Sequence, residues 1–186
     1  MLHKAFDLQK PISTRYFSEF VCMAWGVCVM YFTSQLSIPL EPVPITLQTF
    51  GVLLLGLIFE RKTAIKSMAL YLSLGAMGAP VFANFAGGIT RFAGPTGGYL
   101  IGFLVCVMVM TTLRQRLKND HFIAIAINAL VGTFVIMSFG VAWLSVLIGF
   151  KPAIYAGLMP FIVPGIIKAL LLALVVRFLR LDKINS

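Results

Sequence analysis

Six long apolar runs, separated by short loops and clusters of lysine and arginine, constrain this chain more than any other feature. The runs fall at about 17–36, 45–59, 64–79, 96–113, 122–148 and 156–179 of 186 residues. A helix needs about 20 apolar residues to cross the hydrocarbon core of a bilayer. A soluble domain carries roughly 25% charge; here 11% of residues are charged and 60% are hydrophobic, so much of the surface must be solvated by lipid. The expected fold class is an all-α integral membrane protein, a compact bundle of six transmembrane helices forming a single membrane domain over residues 1–186. The second and third runs are short, and the fifth is long enough to tilt or to extend past the bilayer. The first is too long for a signal-peptide core, and its polar flank holds both Lys10 and Glu19, so it is expected to be a permanent span.

The net charge of +9 does not point to nucleic acid, because of where the charge sits. Lys4, Lys10 and Arg15 precede the first run; Arg61, Lys62 and Lys66 join the second to the third; Arg114, Arg116 and Lys118 join the fourth to the fifth; Arg177, Arg180 and Lys183 follow the sixth. With six spans these twelve of the fifteen basic residues share one face. Only Arg91 and Lys151 fall in the opposite loops, and Lys168 falls inside a span. Cytoplasmic loops are enriched in Lys and Arg, so both termini are expected in the cytoplasm of a multi-pass cell-membrane protein, in a bacterial plasma membrane.

The three outward connections differ from the inward ones. The first, 37–46, carries Pro39, Pro42 and Pro44 and is expected to be extended and free of helix. The second, 79–98, is rich in glycine, proline and aromatics yet holds a single charge. Apolar, non-helical backbone at a membrane surface is tolerated where it folds over a cavity and finds protein partners. The third, 149–155, is short. No internal repeat is evident, which weighs against an inverted-repeat carrier.

Several chemistries are poorly supplied. There is no G-x-x-x-x-G-K-[ST], no G-x-S-x-G, no H-E-x-x-H and no pair of intramembrane carboxylates. The chain is expected not to be an enzyme, and not to couple to ions by itself. Cys22, Cys28 and Cys106 lie within apolar runs without a CxxC pair, remote from His3 and His121, so neither a disulfide, a metal nor a cofactor is expected.

The candidate binding residues are Lys168, Asn84, Arg91, Tyr99, Gln48 and Thr46. Lys168 lies about ten residues before Arg177, roughly 15 Å along a helix, and a lysine at that depth marks a binding or ion pathway unless it snorkels outward past Pro160 and Pro164. Arg91 can grip a carboxylate with two parallel hydrogen bonds, or anchor its loop to lipid head groups. Asn84 carries both donor and acceptor groups for an amide-like ligand, or caps the loop. Tyr99 offers a ring face and a hydroxyl, or belongs to the interfacial aromatic belt. Gln48, with Thr46 and Thr49, opens the second span directly beneath the proline segment; Thr46 can equally cap the helix. Asn128 is a candidate hydrogen-bonder between helices, and Glu41 is expected to face solvent.

Three stretches resemble one family. P-V-P-I-T-L-Q-T-F at 42–50 followed by G-V-L-L-L-G, G-A-M-G-A-P-V-F at 75–82, and G-P-T-G-G-Y-L-I-G-F at 94–103 are similar to the BioY family, the biotin-specific substrate-binding subunits of energy-coupling-factor transporters. The resemblance runs from about residue 20 to 180. It implies a six-helix subunit that binds biotin near its outer face, beneath a lid made of the proline segment and the loop before G-P-T-G-G-Y. It implies partners as well: a transmembrane scaffold subunit and two cytoplasmic ATPase subunits, which would supply the missing P-loop. Small residues four apart on the first span would face the scaffold, and the match here is Ala24 and Cys28 with Gly26 between. The family's sixth span reads roughly P-G-D-L-I-K, against V-P-G-I-I-K here, so Gly165 stands where an acid is expected.

High-affinity binding of biotin for uptake is the leading expectation. The alternatives are a solitary biotin facilitator, separable by copurification with ATPase subunits, and a membrane scaffold without a small ligand, separable by a binding assay with labelled biotin in detergent. In a cysteine-free background, single cysteines at positions 4 and 184 should resist labelling by an impermeant reagent in intact cells; labelling of either from outside would sink the six-span topology.

Overall fold

The structure, a computed structural model, describes residues 12–117 and 121–185. Lys4, Lys10 and Lys118 of the basic clusters lie outside the described residues, as does His3, and for Arg15, Arg180 and Lys183 only the backbone is described. The order is α1 (Ile12–Gln35), β1 (Ser37–Ile38), β2 (Ile45–Thr46), α2 (Gln48–Ile58), α3 (Arg61–Ala76), a 3₁₀ turn (Ala83–Phe85), α4 (Thr90–Ala93), α5 (Gly97–Leu117), α6 (Phe122–Ile148), α7 (Phe150–Gly157) and α8 (Met159–Asn185).

Among the described residues four helices are long and apolar enough to cross a membrane: Phe17–Gln35, Gly97–Leu117, Phe122–Ile148 and Met159–Phe178. With α2 at 11 residues and α3 at 16, these two helices are about 17 and 24 Å long, shorter than the roughly 30 Å hydrocarbon core. The helices depart from the expected runs mainly at the end that carries the proline segment. α2 begins at Gln48 rather than 45, because Ile45 and Thr46 pair with Ile38 and Ser37. The sixth run begins at Met159, since 150–157 forms the separate helix α7. Gly149, at φ 90°, makes the break between α6 and α7, a conformation that a side chain would strain. The second outward connection is not wholly irregular either, for it contains the 3₁₀ turn and α4.

The core is built around α5 and α6, which pack on each other more extensively than any other pair, with α8 against α6 and α2 against α5. Small residues permit the close approach, as is usual where lipid rather than water surrounds the helices. A Cβ added at Gly102 would come within 3.0 Å of Phe139 Cβ and 3.3 Å of the Ile136 main chain. Asn128 donates its Nδ2 to the Met110 carbonyl at 3.1 Å, an interhelical bond between α6 and α5. At the end opposite the proline segment, the Arg114 guanidinium donates to the carbonyls of Leu57 and Phe59, satisfying the C-terminus of α2. There too Lys66 of α3 pairs with Glu19 of α1 at 2.5 Å.

The small residues of α1 do not form the single outward strip expected of them. Gly26 is buried, and a Cβ there would come within 2.5 Å of Ser67 Oγ, so it sets the spacing between α1 and α3. Residue spacing on a helix explains this: Ala24 and Cys28 share a face at i and i+4, while Gly26 lies about 200° around from Ala24. The outer face of α1 carries Cys28 with exposed Phe17, Phe20, Trp25 and Phe32.

Gly102→Leu should overpack the α5–α6 seam and cost about 1–3 kcal/mol, measured as a lower thermal unfolding midpoint in detergent. Val146→Leu, at a position 80% exposed, should leave the midpoint unchanged.

Candidate ligand-binding site

The three prolines of the first outward connection do not merely extend it. Antiparallel pairing of Ser37 with Thr46 and Ile38 with Ile45 closes 37–46 into a hairpin with the prolines at its tip, and Leu47 N donates to Leu36 O at 2.8 Å beneath it. The Glu41–Pro42 peptide is cis. The result is a strap across the end of the helix bundle.

The second connection is tied to the end of α1. Gln35 Nε2 donates to Phe82 O at 3.2 Å, Gln35 Oε1 accepts from Phe85 N at 3.0 Å, and Ser34 Oγ donates to Val81 O at 2.8 Å. These bonds hold Asn84 and Phe85 in left-handed conformation, at φ 58° and 53°. Farther along, Trp143 Nε1 of α6 donates to Gly94 O at 3.0 Å. The glycine pair of G-P-T-G-G has a packing cause: a Cβ at Gly97 would come within 1.8 Å of Phe92 O, and one at Gly98 within 2.4 Å of Phe139 O.

Strap, loop and the strap-side ends of α2, α5 and α8 enclose a cavity of about 770 Å³, within the roughly 300–1,000 Å³ common for small-molecule sites. Lys168, Asn84, Arg91, Tyr99, Gln48 and Thr46 all border it, each presented differently. Half-buried Lys168 donates Nζ to Thr46 O at 2.6 Å and to Thr49 Oγ1 at 3.2 Å. The oxygens that satisfy the ammonium thus come from the strap and α2, rather than from carbonyls freed by Pro164. Thr46 acts through its main chain; the N-cap of α2 is Leu47, with no side-chain cap.

Gln48 is 5% exposed and donates Nε2 to Tyr71 Oη at 2.7 Å. Tyr99 is buried and its hydroxyl donates to Gly157 O at 2.6 Å, so its hydroxyl binds α7 and its ring is left as wall. Asn84 and Arg91 are exposed at the rim. Ser37 Oγ donates to Asn84 Oδ1 at 2.8 Å, and Thr96 Oγ1 to Arg91 O at 3.4 Å. Glu41 is exposed but also borders the cavity. Gly165 borders it one turn from Lys168, and a Cβ there would meet Thr133 Cγ2 of α6 at 3.0 Å.

Sequence reasoning missed Tyr71, Gln35 and Phe161, whereas Phe82 belongs to the aromatic residues of the second connection, which were expected to wall the site. Tyr71 had a usable signal, since a tyrosine amid an apolar run needs a partner for its hydroxyl when buried. Phe82 stacks edge-on against Tyr71 with ring centroids 5.6 Å apart, and Phe161 lies 6.1 Å from the Tyr99 ring.

A cavity of this kind behind a proline strap invites comparison with known proteins, and the model of the BioY family matches residues 6–183. The chain belongs to the BioY family. Among curated members, the probable biotin transporter BioY of Pyrococcus horikoshii is 41% identical over 136 residues, 73% of this chain and 80% of that protein. The biotin transporter BioY of Thermotoga maritima is 40% identical over 151 residues, 81% of this chain and 87% of that protein. A crystal structure of the S-component for biotin from an ECF-type ABC transporter superposes with a TM-score of 0.82 at 27% identity, covering 92% of this chain and 95% of that one. BioY proteins are transporters rather than enzymes, and with its four long apolar helices this BioY-family chain is a multi-pass membrane protein.

Tyr99→Phe should cost about 0.5–1.5 kcal/mol of stability through the lost bond to Gly157 while keeping the aromatic wall. Thermal unfolding in detergent should show the loss; ligand affinity should hold within about twofold, well under the 1.4 kcal/mol that a tenfold change represents.

Proposed function

We propose that this chain is the high-affinity biotin-binding subunit of an uptake transporter in a bacterial plasma membrane. It delivers biotin inward together with a transmembrane scaffold subunit and two cytoplasmic ATPase subunits. Six spans carry it, α2 and α3 being the short ones, with both termini cytoplasmic. The ends of the bundle support this orientation: Lys66, Arg114 and Arg116 sit at the connections opposite the strap, which puts the cavity on the outer side. The likeness to the S-component for biotin and the absence of a P-loop from this sequence support an external source of ATP hydrolysis.

One observation carries the ligand assignment: Lys168 and Gln48, from α8 and α2, converge on a single aromatic-walled cavity whose rim holds Arg91. Biotin is a cyclic urea with two N–H donors and one carbonyl, fused to an apolar thioether ring that bears a carboxylate tail. The urea needs both a donor and an acceptor in the buried part of the site. Lys168 has three N–H donors and uses two on protein oxygens, leaving one for the urea carbonyl. Phe82, Phe103 and Phe161 face the apolar ring. The carboxylate stays near water at the rim, where Arg91 takes it with two parallel bonds and Asn84 offers its Nδ2.

Labelled biotin should bind the purified protein, and Lys168→Ala should weaken it roughly ten- to a hundred-fold, as expected for a charge-assisted hydrogen bond. A biotin amide keeps the urea and loses the tail charge. Lys168→Ala should weaken the amide as much as it weakens biotin, whereas Arg91→Ala should weaken biotin alone. An amide indifferent to Lys168→Ala exchanges the roles of the two cations; unchanged biotin affinity in a folded Lys168→Ala protein removes the lysine from the site.

A further inference from the structure

The cavity lacks an acid from α8 to receive a urea N–H, because residue 165 is glycine. Thr46 O and Thr49 Oγ1 already accept from Lys168 and Asn84 Oδ1 from Ser37, while the Glu41 carboxylate that borders the cavity is exposed on the strap rather than buried within. Of the buried polar side chains Ser34, Gln48, Ser67, Thr111 and Asn128, only Gln48 borders the cavity.

Which end of the Gln48 amide faces the ligand follows from the partners of the Tyr71 hydroxyl, which lies against Val81 O, Gln48 Nε2 and the Ser34 side chain. Val81 O is a carbonyl and can only accept. Tyr71 Oη lies 2.8 Å from it and has a single proton, which it donates there. Toward Gln48, at 2.7 Å, Tyr71 therefore presents a lone pair, so the amide must turn its Nε2 to the phenol. Ser34 Oγ, with one proton, lies 2.7 Å from Tyr31 O and 2.8 Å from the same Val81 carbonyl and shares that proton between them. Gln48 Oε1 receives a hydrogen bond from no described residue, and it is not among the sealed, partnerless atoms of the interior. Gln48 borders the cavity, and Oε1 is the end of its amide that accepts from no described residue.

We infer that Gln48 Oε1 is the acceptor for a urea N–H of the ligand, and that Tyr71 is the positioning residue that fixes the amide with oxygen toward the cavity. The inference rests on biotin as the ligand. It makes Gln48 a specificity-determining residue of this chain and gives it the acceptor function of the acid that α8 lacks. A site built to receive an N–H discriminates strongly against a ligand lacking it, because the buried oxygen is then left without a partner.

Binding of labelled biotin, and of its two isomers methylated on one or the other urea nitrogen, to the purified full-length protein tests this. Gln48→Leu should weaken biotin roughly ten- to a hundred-fold. It should leave the affinity of one N-methyl isomer nearly unchanged, since that isomer has already lost the N–H in question. Tyr71→Phe keeps the ring but releases the amide to rotate, and should narrow the ratio between biotin and that same isomer; a purely structural loss would weaken both ligands equally and leave the ratio alone. Wild-type protein that fails to bind biotin overturns the ligand assignment and this inference together. Wild-type protein that binds biotin, with Gln48→Leu either indifferent or equally damaging to biotin and both isomers, overturns the inference alone.

Discussion

An ammonium inside an apolar helix bundle has to find oxygen, and the strap-side half of this structure is arranged around where Lys168 finds it. An unpaired charge in so poor a solvent costs several kcal/mol or neutralises. Lys168 lies on α8, yet its acceptors are the Thr46 carbonyl at the end of the strap and the Thr49 hydroxyl in the first turn of α2. One side chain thereby joins the last helix to the segment that closes the cavity, and pins the strap at the point where it enters α2. The same nitrogen retains a donor for a ligand, so the bond that organises the site also leaves it able to bind.

The rest of the site obeys a related constraint. Irregular backbone near the bilayer must satisfy its polar groups within the protein, and the loop after α3 does so against the end of α1. Ser34 and Gln35 meet the carbonyls of Val81 and Phe82 and the Phe85 amide. Tyr71 meets Val81 from below and passes the direction of its hydrogen bond to Gln48. Along this chain Ser34 and Tyr71 meet the Val81 carbonyl, and Gln48, which borders the cavity, is bonded to Tyr71. Tyr99 is likewise bonded within the protein, to Gly157, although it borders the cavity.

The extent to which the site was legible in the sequence follows from what each residue type implies on its own. Lys168 and Arg91 stand out because charges are rare in such a chain, and the proline segment and G-P-T-G-G because prolines and glycines constrain the backbone directly. Gln48 was visible as a polar residue under the prolines, but its orientation was not, since that depends on Tyr71 and Val81, 23 and 33 residues away. Gly26 was misassigned because a small residue on a helix shows that something approaches closely, not which neighbour does; here it is Ser67 of the same chain.

The apolar runs, their lengths and the basic clusters between them are local properties of the chain, so the all-helical membrane class and the helix order follow from sequence alone. The motifs carried the family in the same way. The tertiary structure decided everything that needs two distant segments at once: the hairpin that makes the proline segment a strap, the oxygens that receive Lys168, and the diversion of the Tyr99 hydroxyl to Gly157. It also decided the direction of the Gln48 amide. A hydrogen bond has a direction only when both partners are known, and in this chain the partners at the site are brought together by packing rather than by sequence proximity.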